Sequence, residues 1–458
     1  MASRTEFRQV AALFGHELRR LLTGRAYWAM VLLLAPLAGY GYIEAVRLFG
    51  EASKTALSFP ELARGMAPLD GILVPTLGAF YLGTTLLFPF VAIRALGQDK
   101  ESGALKLCLQ WPASTGTLVA VKLLAVGAAW ALSLVVPLSA VILWRFSGGH
   151  LAWAETANLF LGHALYALAV AGIAFFAAAI TESAATAAIL TLAFTLGFWV
   201  LDFAAAAGPE WLRTLGELSP TQVLKQFEHG LLSPPHALAL GALGLGLAAL
   251  AAVVVPPGLT PRRRLARGGG AALVLIAVLA VSPFIGGARD LSEDRRNSFN
   301  PADEAALLRM DQGLTITLNL SPEDSRAREL STNVLGKLRR LVPRLDVHWA
   351  RVDGAGPFGA AQGERYGLIV YEYAGRRAES RSNSPREILP LLHELAGTTV
   401  APVDAAPYPG YPLVASTQAA TVWFYGLLPA ILLLLGWRSS RPGRVPPHHS
   451  LPTEGVRS

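Results

Sequence analysis

Apolar runs of about twenty residues recur along the chain, at 26–46, 71–96, 118–143, 157–180, 185–206, 236–256, 269–288 and 417–437. Each is long enough to cross the ~30 Å hydrocarbon layer of a bilayer as a helix, so the pattern predicts eight membrane spans. Pro36, Pro75, Pro89 and Pro137 fall inside runs, where neighbouring helices can satisfy the carbonyls that proline frees. Ala167, Ala171, Gly172 and Ala178 suit a close helix approach and equally suit Ala-rich filler. Ahead of the first run, residues 5–22 place Phe7, Val10, Phe14 and Leu21 at helical spacing among Arg8, Glu17, Arg19 and Arg20. That pattern predicts an amphipathic helix lying on the membrane surface.

Two polar stretches break the series. The first, "IRALGQDKESGALKLCLQWPAS" at 93–114, crowds Arg94, Asp99, Lys100, Glu101 and Lys106 between the second and third runs. Gly97 and Gly103 punctuate it and Trp111-Pro112 end it, which predicts a short charged helix lifted out of the membrane. The second runs from 289 to 415. Asn300-Pro301 with Asp303 starts a helix to about Met310, and "LTITLNL" alternates strictly as a strand. A helix striped by Leu330, Val334, Leu338 and Leu341 follows, then the strand "LDVHWARV". A hairpin turns at Ala374-Gly375, and a last helix is capped by the Ser384–Glu387 box. The order β-α-β-β-β-α is that of a thioredoxin-like domain. The segment holds no cysteine, so dithiol chemistry is excluded.

Composition agrees with the runs. Of 458 residues 53% are hydrophobic and 16% charged, against about 25% charged in soluble proteins. The net charge of +7 is carried largely by arginines at the ends of apolar runs. They read as topology signals and not as a nucleic-acid face. Arg19, Arg20 and Arg25 precede the first span, so the N-terminus is expected in the cytoplasm. The 97–117 segment, "PRRRLAR" at 261–267 and "RSSRPGR" at 438–444 then fall on the same side, with 207–235 and 289–415 outside. The first apolar run begins near Tyr27 after a long amphipathic lead, so no cleavable signal is expected.

The expected fold is an α-helical polytopic membrane protein with an inserted α/β thioredoxin-like extracytoplasmic domain. Its parts are a leading helix (1–25), a six-helix core (26–256), a basic loop with the seventh span (257–288), the outer domain (289–415), the eighth span (416–437) and a basic cytoplasmic tail (438–458).

Chemistry-bearing motifs are scarce. Cys108 is the single cysteine, so no intrachain disulfide forms. No Cys/His cluster suggests a metal, and no cofactor is expected. "HELRR" at 16–20 and "HELAG" at 393–397 lack the second histidine of a zinc-protease helix. Asp353, Glu364 and Glu372 read as solvated. No nucleophile–base constellation emerges, so no enzymatic activity is expected. Glu44, His163 and Asp202 lie in or near spans, where an ionisable group costs about 3 kcal/mol at the bilayer centre. His163 and Asp202 are therefore candidates for a substrate pathway, against simple access to water at span ends.

The segment from Arg94 resembles the signature region of type-2 ABC transporter permeases. It carries Arg94, Glu101-Ser102-Gly103, Leu105, Leu107, Pro112-Ala113-Ser114 and then Lys122 at the next helix. The lead "FGHELRRLLTGRAYW", with Glu17, Leu18 and Arg25, is similar to that family's first helix, and the likeness covers about 1–256. It implies that Asp99, Lys100, Glu101, Ser102, Gly103 and Lys106 belong to a coupling helix seated in a separate ATPase subunit. Glu17, Arg19, Arg20 and Arg25 would belong to the leading helix. The chain has no GxxxxGK[ST] phosphate loop, so ATP falls to that partner. Six spans imply a homodimer or a related permease partner. The outer segment resembles the N-terminal part of the auxiliary protein of gliding-motility-type ABC transporters, through Asp290-Leu291-Ser292, Asp294, Arg295 and Pro301. That likeness implies an extracytoplasmic accessory partner.

The expectation is an exporter permease in the bacterial cytoplasmic membrane, multi-pass with both termini cytoplasmic. Two rivals stand beside it. A membrane-anchored assembly or sensor protein would need fewer spans. A secondary transporter would need ionisable groups at mid-membrane.

Overall fold

The computed structural model describes residues 2–110, 114–207, 210–256, 260–321, 324–350, 366–400 and 408–439. The ends of the coupling segment at Trp111-Pro112, most of the 438–444 tail and Asp353 and Glu364 lie outside the described residues. Among the described residues, eight helices are long and apolar enough to cross a membrane. They are Arg25–Ser58, Leu69–Glu101, Thr115–Phe146, Trp153–Ile180, Ala184–Ala205, Pro234–Val254, Arg262–Phe284 and Gln418–Ser439, called below the first to eighth spans.

Several spans outrun their apolar stretch. The first has 34 residues, roughly 50 Å of helix, so its far end projects past a bilayer. There Glu44, Arg47 and Glu51 form an exposed ion-pair row at helical spacing, which accounts for Glu44. Gly97 does not interrupt the second span, contrary to expectation: it is buried inside a helix that runs on to Glu101. The arginines of 261–267 are likewise not a loop. They form the opening turns of the seventh span's helix, started by Pro261 and capped by Thr260, whose Oγ1 accepts from Arg263 N.

The fourth span is the hub, packed against the sixth along much of its length. A Cβ on Gly172 would stand 2.2 Å from the carbonyl oxygen of Gly244, and one on Gly244 would stand 2.5 Å from that of Leu168. Only hydrogen fits at either position, so Gly172 serves close helix approach. The seventh span is nearly uncovered, with 6% of its apolar window buried by the chain itself.

Outside the bundle, β1 (Leu231–Leu232) pairs antiparallel with β2 (Arg289–Asp290). The chain then forms a four-stranded sheet from β3 (Leu314–Leu318), β4 (Leu345–Trp349), β5 (Ile369–Tyr373) and β6 (Arg376–Ser380), in the order β4-β3-β5-β6. β3 and β4 are parallel, while β3–β5 and β5–β6 are antiparallel. The strict alternation of β3 puts Leu314, Ile316 and Leu318 into a core and leaves Thr315 and Thr317 half-buried. Leu330, Val334 and Leu338 of the helical stretch 325–341 join that core, as do Ile388 and Leu392 of helix Pro385–Ala396. The β5–β6 turn has positive φ at both Ala374 (53°) and Gly375 (75°), the requirement of the tight hairpin turns whose twist matches that of strands. The helix begun at Pro301 stops at Leu307, short of Met310. Asn300 caps it, its side chain accepting from Ala302 N at 3.3 Å.

Candidate functional site

Lys122 lies seven residues into the third span's helix and its side chain is fully buried. An ammonium cannot be left in such a place without partners. Its Nζ donates to Glu17 Oε1 at 2.6 Å and to Asp99 Oδ2 at 2.5 Å. Both carboxylate side chains are 3% exposed. Arg20 pairs with the other Asp99 oxygen, lies 3.4 Å from Glu17 Oε2, and donates to the carbonyls of Arg94 and Ala95 at 3.2 and 3.3 Å. Two cations and two carboxylates thus close a neutral cluster. It joins the leading helix (Ala2–Leu22), the end of the second span and the start of the third.

The neighbouring charges reach a fourth and fifth element. Lys100 Nζ donates to the carbonyls of Ala179 and Thr181, at 2.8 and 2.5 Å, where the fourth span ends. Glu101 Oε1 accepts from Ala184 N at 2.5 Å, where the fifth begins. The second span's polar end is therefore hooked into the turn between the fourth and fifth spans.

Beyond Glu101 the chain bends at Gly103, whose φ of 76° is a conformation that suits glycine. Helix Ala104–Cys108 follows. It buries Leu105 and turns Lys106 and Leu107 outward, Leu107 being 70% exposed. Ser102 is exposed as well. The Cys108 thiol is half-buried, and desolvation raises its pKa above the usual thiol range. The third span is then started by Ser114, which accepts from Thr117 N at 3.0 Å.

The six residues expected in one charged helix are thus divided. Asp99 is in the bundle, Lys100 and Glu101 are tied to neighbouring spans, Ser102 and Gly103 form the bend, and Lys106 faces out. Of the residues expected in the leading helix, Glu17 and Arg20 enter the cluster and Arg19 is exposed, whereas Arg25, also exposed, lies past the end of that helix and opens the helix of the first span. Lys122 stood in the sequence only as a motif residue. A lone lysine inside an apolar run was the available sign of a buried partner.

At the opposite end of the bundle, the strap 289–299 fastens the outer domain. Arg296 pairs with Asp70 at the start of the second span and with Asp294 at 2.8 Å, and lies 3.8 Å from Glu155 at the start of the fourth. Burial raises the Asp294 carboxyl and lowers the Arg296 guanidinium, so desolvation outweighs attraction in that pair. Glu293 N donates to Glu155, and the Glu293 carboxylate meets His150 Nε2 at 2.8 Å and the Tyr411 hydroxyl at 3.0 Å. The rings of His150 and Tyr411 stack at 3.6 Å. Asp290 accepts from Ser292 N, Asn297 N and Asn297 Nδ2, so the polar run read as a family signature is what shapes the strap.

Asp202 and His163 face the helix Pro220–Glu228 between the fifth and sixth spans. Thr221 donates to Asp202, and His163 Nε2 lies 3.5 Å from Glu228 Oε1. Asn158 Nδ2 donates to the Phe227 carbonyl at 3.0 Å. These polar groups fix that helix against the fourth and fifth spans and do not meet each other.

A family model described as ABC-2 family transporter protein matches residues 11–286, which takes in the second half of the leading helix, the cluster and seven of the eight spans. The match reaches past the sixth span, where the sequence likeness ended, and stops before the outer sheet. No curated protein matches the chain. A match over more than half the chain, on a bundle of apolar helices, shows a multi-pass membrane protein of the ABC-type permease class, and the chain belongs to the ABC-2 family of transporter proteins.

Proposed function

We propose that the chain is the permease subunit of an ATP-driven exporter in a bacterial cytoplasmic membrane, with ATP hydrolysed by a separate subunit and both termini in the cytoplasm. The observation that carries this reading is the fully buried Lys122 bridging Glu17 and Asp99 beside an outward-facing short helix. A partner that grips Lys106 and Leu107 pushes on a segment attached at both ends. Through Gly103 the push reaches the second span, and through the Ser114 cap it reaches the third. The charge cluster makes the leading helix move with them, and Lys100 and Glu101 carry the motion to the fourth and fifth spans. Glu17 and Arg20, together with 99–106, form this transmission element, and the exposed Arg19 and Arg25 flank it on the same side of the bundle. His163 and Asp202 brace the wall of the pathway formed with a second copy or a related permease.

The outer domain is a thioredoxin-like fold resembling the N-terminal part of the gliding-type auxiliary protein. The sheet order, with one parallel pair and one antiparallel hairpin, supports that reading. Its strap ties it to the outer ends of the second and fourth spans, so it reports pathway opening to an extracytoplasmic partner.

Copurification tests the proposal. Leu107→Asp with Lys106→Glu should abolish recovery of the ATPase subunit with the permease while leaving expression and thermal stability unchanged. Undiminished recovery would contradict it and favour an anchor or a secondary transporter.

A further inference from the structure

The end of the leading helix, the start of the first span and the end of the eighth meet around an open surface cavity of about 480 Å³. Its walls are apolar, from Leu18, Leu22, Leu435 and the Trp28 ring. Trp28 Nε1 donates to the Leu22 carbonyl at 2.6 Å, so the indole is a fixed wall with no donor left for a ligand. The eighth span closes on it because Gly436 has no side chain: a Cβ there would lie 3.1 Å from the Trp28 ring. At the rim stand Arg19 and Arg438, both exposed and neither with a partner among the described residues. Trp437 beside them is 60% exposed, as suits an indole at the level of lipid headgroups.

Two guanidiniums, unpaired among the described residues, over an apolar slot where the leading helix and a candidate membrane span both end, are complementary to one class of molecule. We infer that this cavity is a binding site for an anionic phospholipid of the leaflet in which the leading helix lies. The two guanidiniums hold the phosphate by bidentate donation, and an acyl chain lies along Leu22, Leu435 and Trp28. The arginines also oppose the carbonyl ends of the two helices that stop here. That role alone leaves the apolar slot between them without an occupant. A free phosphate would satisfy the arginines and leave the slot wet. The inference rests on the membrane-spanning family assignment and not on the ATPase partner.

Native mass spectrometry of the full chain in detergent, titrated with phosphatidylglycerol or phosphatidylcholine, tests it. Phosphatidylglycerol should be retained preferentially. Arg19→Gln with Arg438→Gln should lower its retention about 25-fold, roughly fivefold per arginine, without changing phosphatidylcholine. Leu435→Trp, which fills the slot and leaves the charges, should remove phosphatidylglycerol too. Arg262→Gln with Arg263→Gln should not. Equal retention of the two lipids, selectivity that survives the double arginine change, or full displacement by millimolar inorganic phosphate would each overturn the assignment.

Discussion

Lys122→Met tests whether the buried cluster is an ionic joint. Methionine keeps the length and most of the volume of lysine and removes only the charge and the two hydrogen bonds. Glu17 and Asp99, each 3% exposed at the side chain, are then left with Arg20 as their counter-ion. Both accept from the same Nζ, so their nearest oxygens lie within about 5 Å, where two unit charges repel by about 3 kcal/mol at an effective dielectric near 20. Breaking a buried pair by removing one partner costs about 3–5 kcal/mol in general, and the same range is expected here. The loss should appear as a lower midpoint in thermal or denaturant unfolding of the detergent-purified chain, followed by tryptophan fluorescence. Adding Glu17→Gln to Lys122→Met removes the uncompensated charge, leaves Arg20 paired with Asp99, and should restore more than half of the loss, a coupling that additive changes cannot give. A single variant within about 1 kcal/mol of wild type, or a double variant no better than the single, would refute the argument.

Other regions make separate predictions. Gly172→Val drives a side chain into the Gly244 backbone and should cost several kcal/mol, about 3 or more; it should prevent accumulation of folded chain, whereas Gly127→Val, with open space at its Cβ, should not. Arg296→Ala should release the strap without unfolding the bundle, seen as faster hydrogen exchange confined to 289–299 and the outer domain; unchanged exchange would contradict the latch. Hydrogen bonding from Arg326 lowers the Asp324 carboxyl to about 2. Because its folded pKa lies below the unfolded value near 4, its stabilising contribution is present above about pH 4 and is lost as pH falls toward 2. Asp324→Asn should therefore flatten the acid limb of outer-domain protection in the full chain, and an unaltered limb would contradict the pairing.

The eight spans were legible because lipid demands a long uninterrupted apolar run, and that demand is written locally. The strand alternation of 314–318 and the Ala374-Gly375 hairpin were legible for the same reason. Span ends were less so. Arg262–Arg264 look like a loop by charge, yet they are helical because Thr260-Pro261 starts the helix ahead of them. The site was half legible. Charge density drew attention to 99–106, but no local pattern says that Asp99 turns inward while Lys106 turns out, since that depends on Lys122 and Glu17 arriving from other helices. The strap was visible as a polar signature, but its partners Asp70 and Glu155 belong to distant spans.

The central claim, that the 104–108 helix is the surface on which a cytoplasmic ATPase pushes, is tested most directly at Lys106. The raised thiol pKa makes native Cys108 a slow target, so Cys108→Ser is combined with Lys106→Cys and probed in intact cells and in inverted vesicles. The account predicts that a membrane-impermeant maleimide labels position 106 only in inverted vesicles and that the coexpressed ATPase subunit protects it. Labelling in intact cells would contradict it.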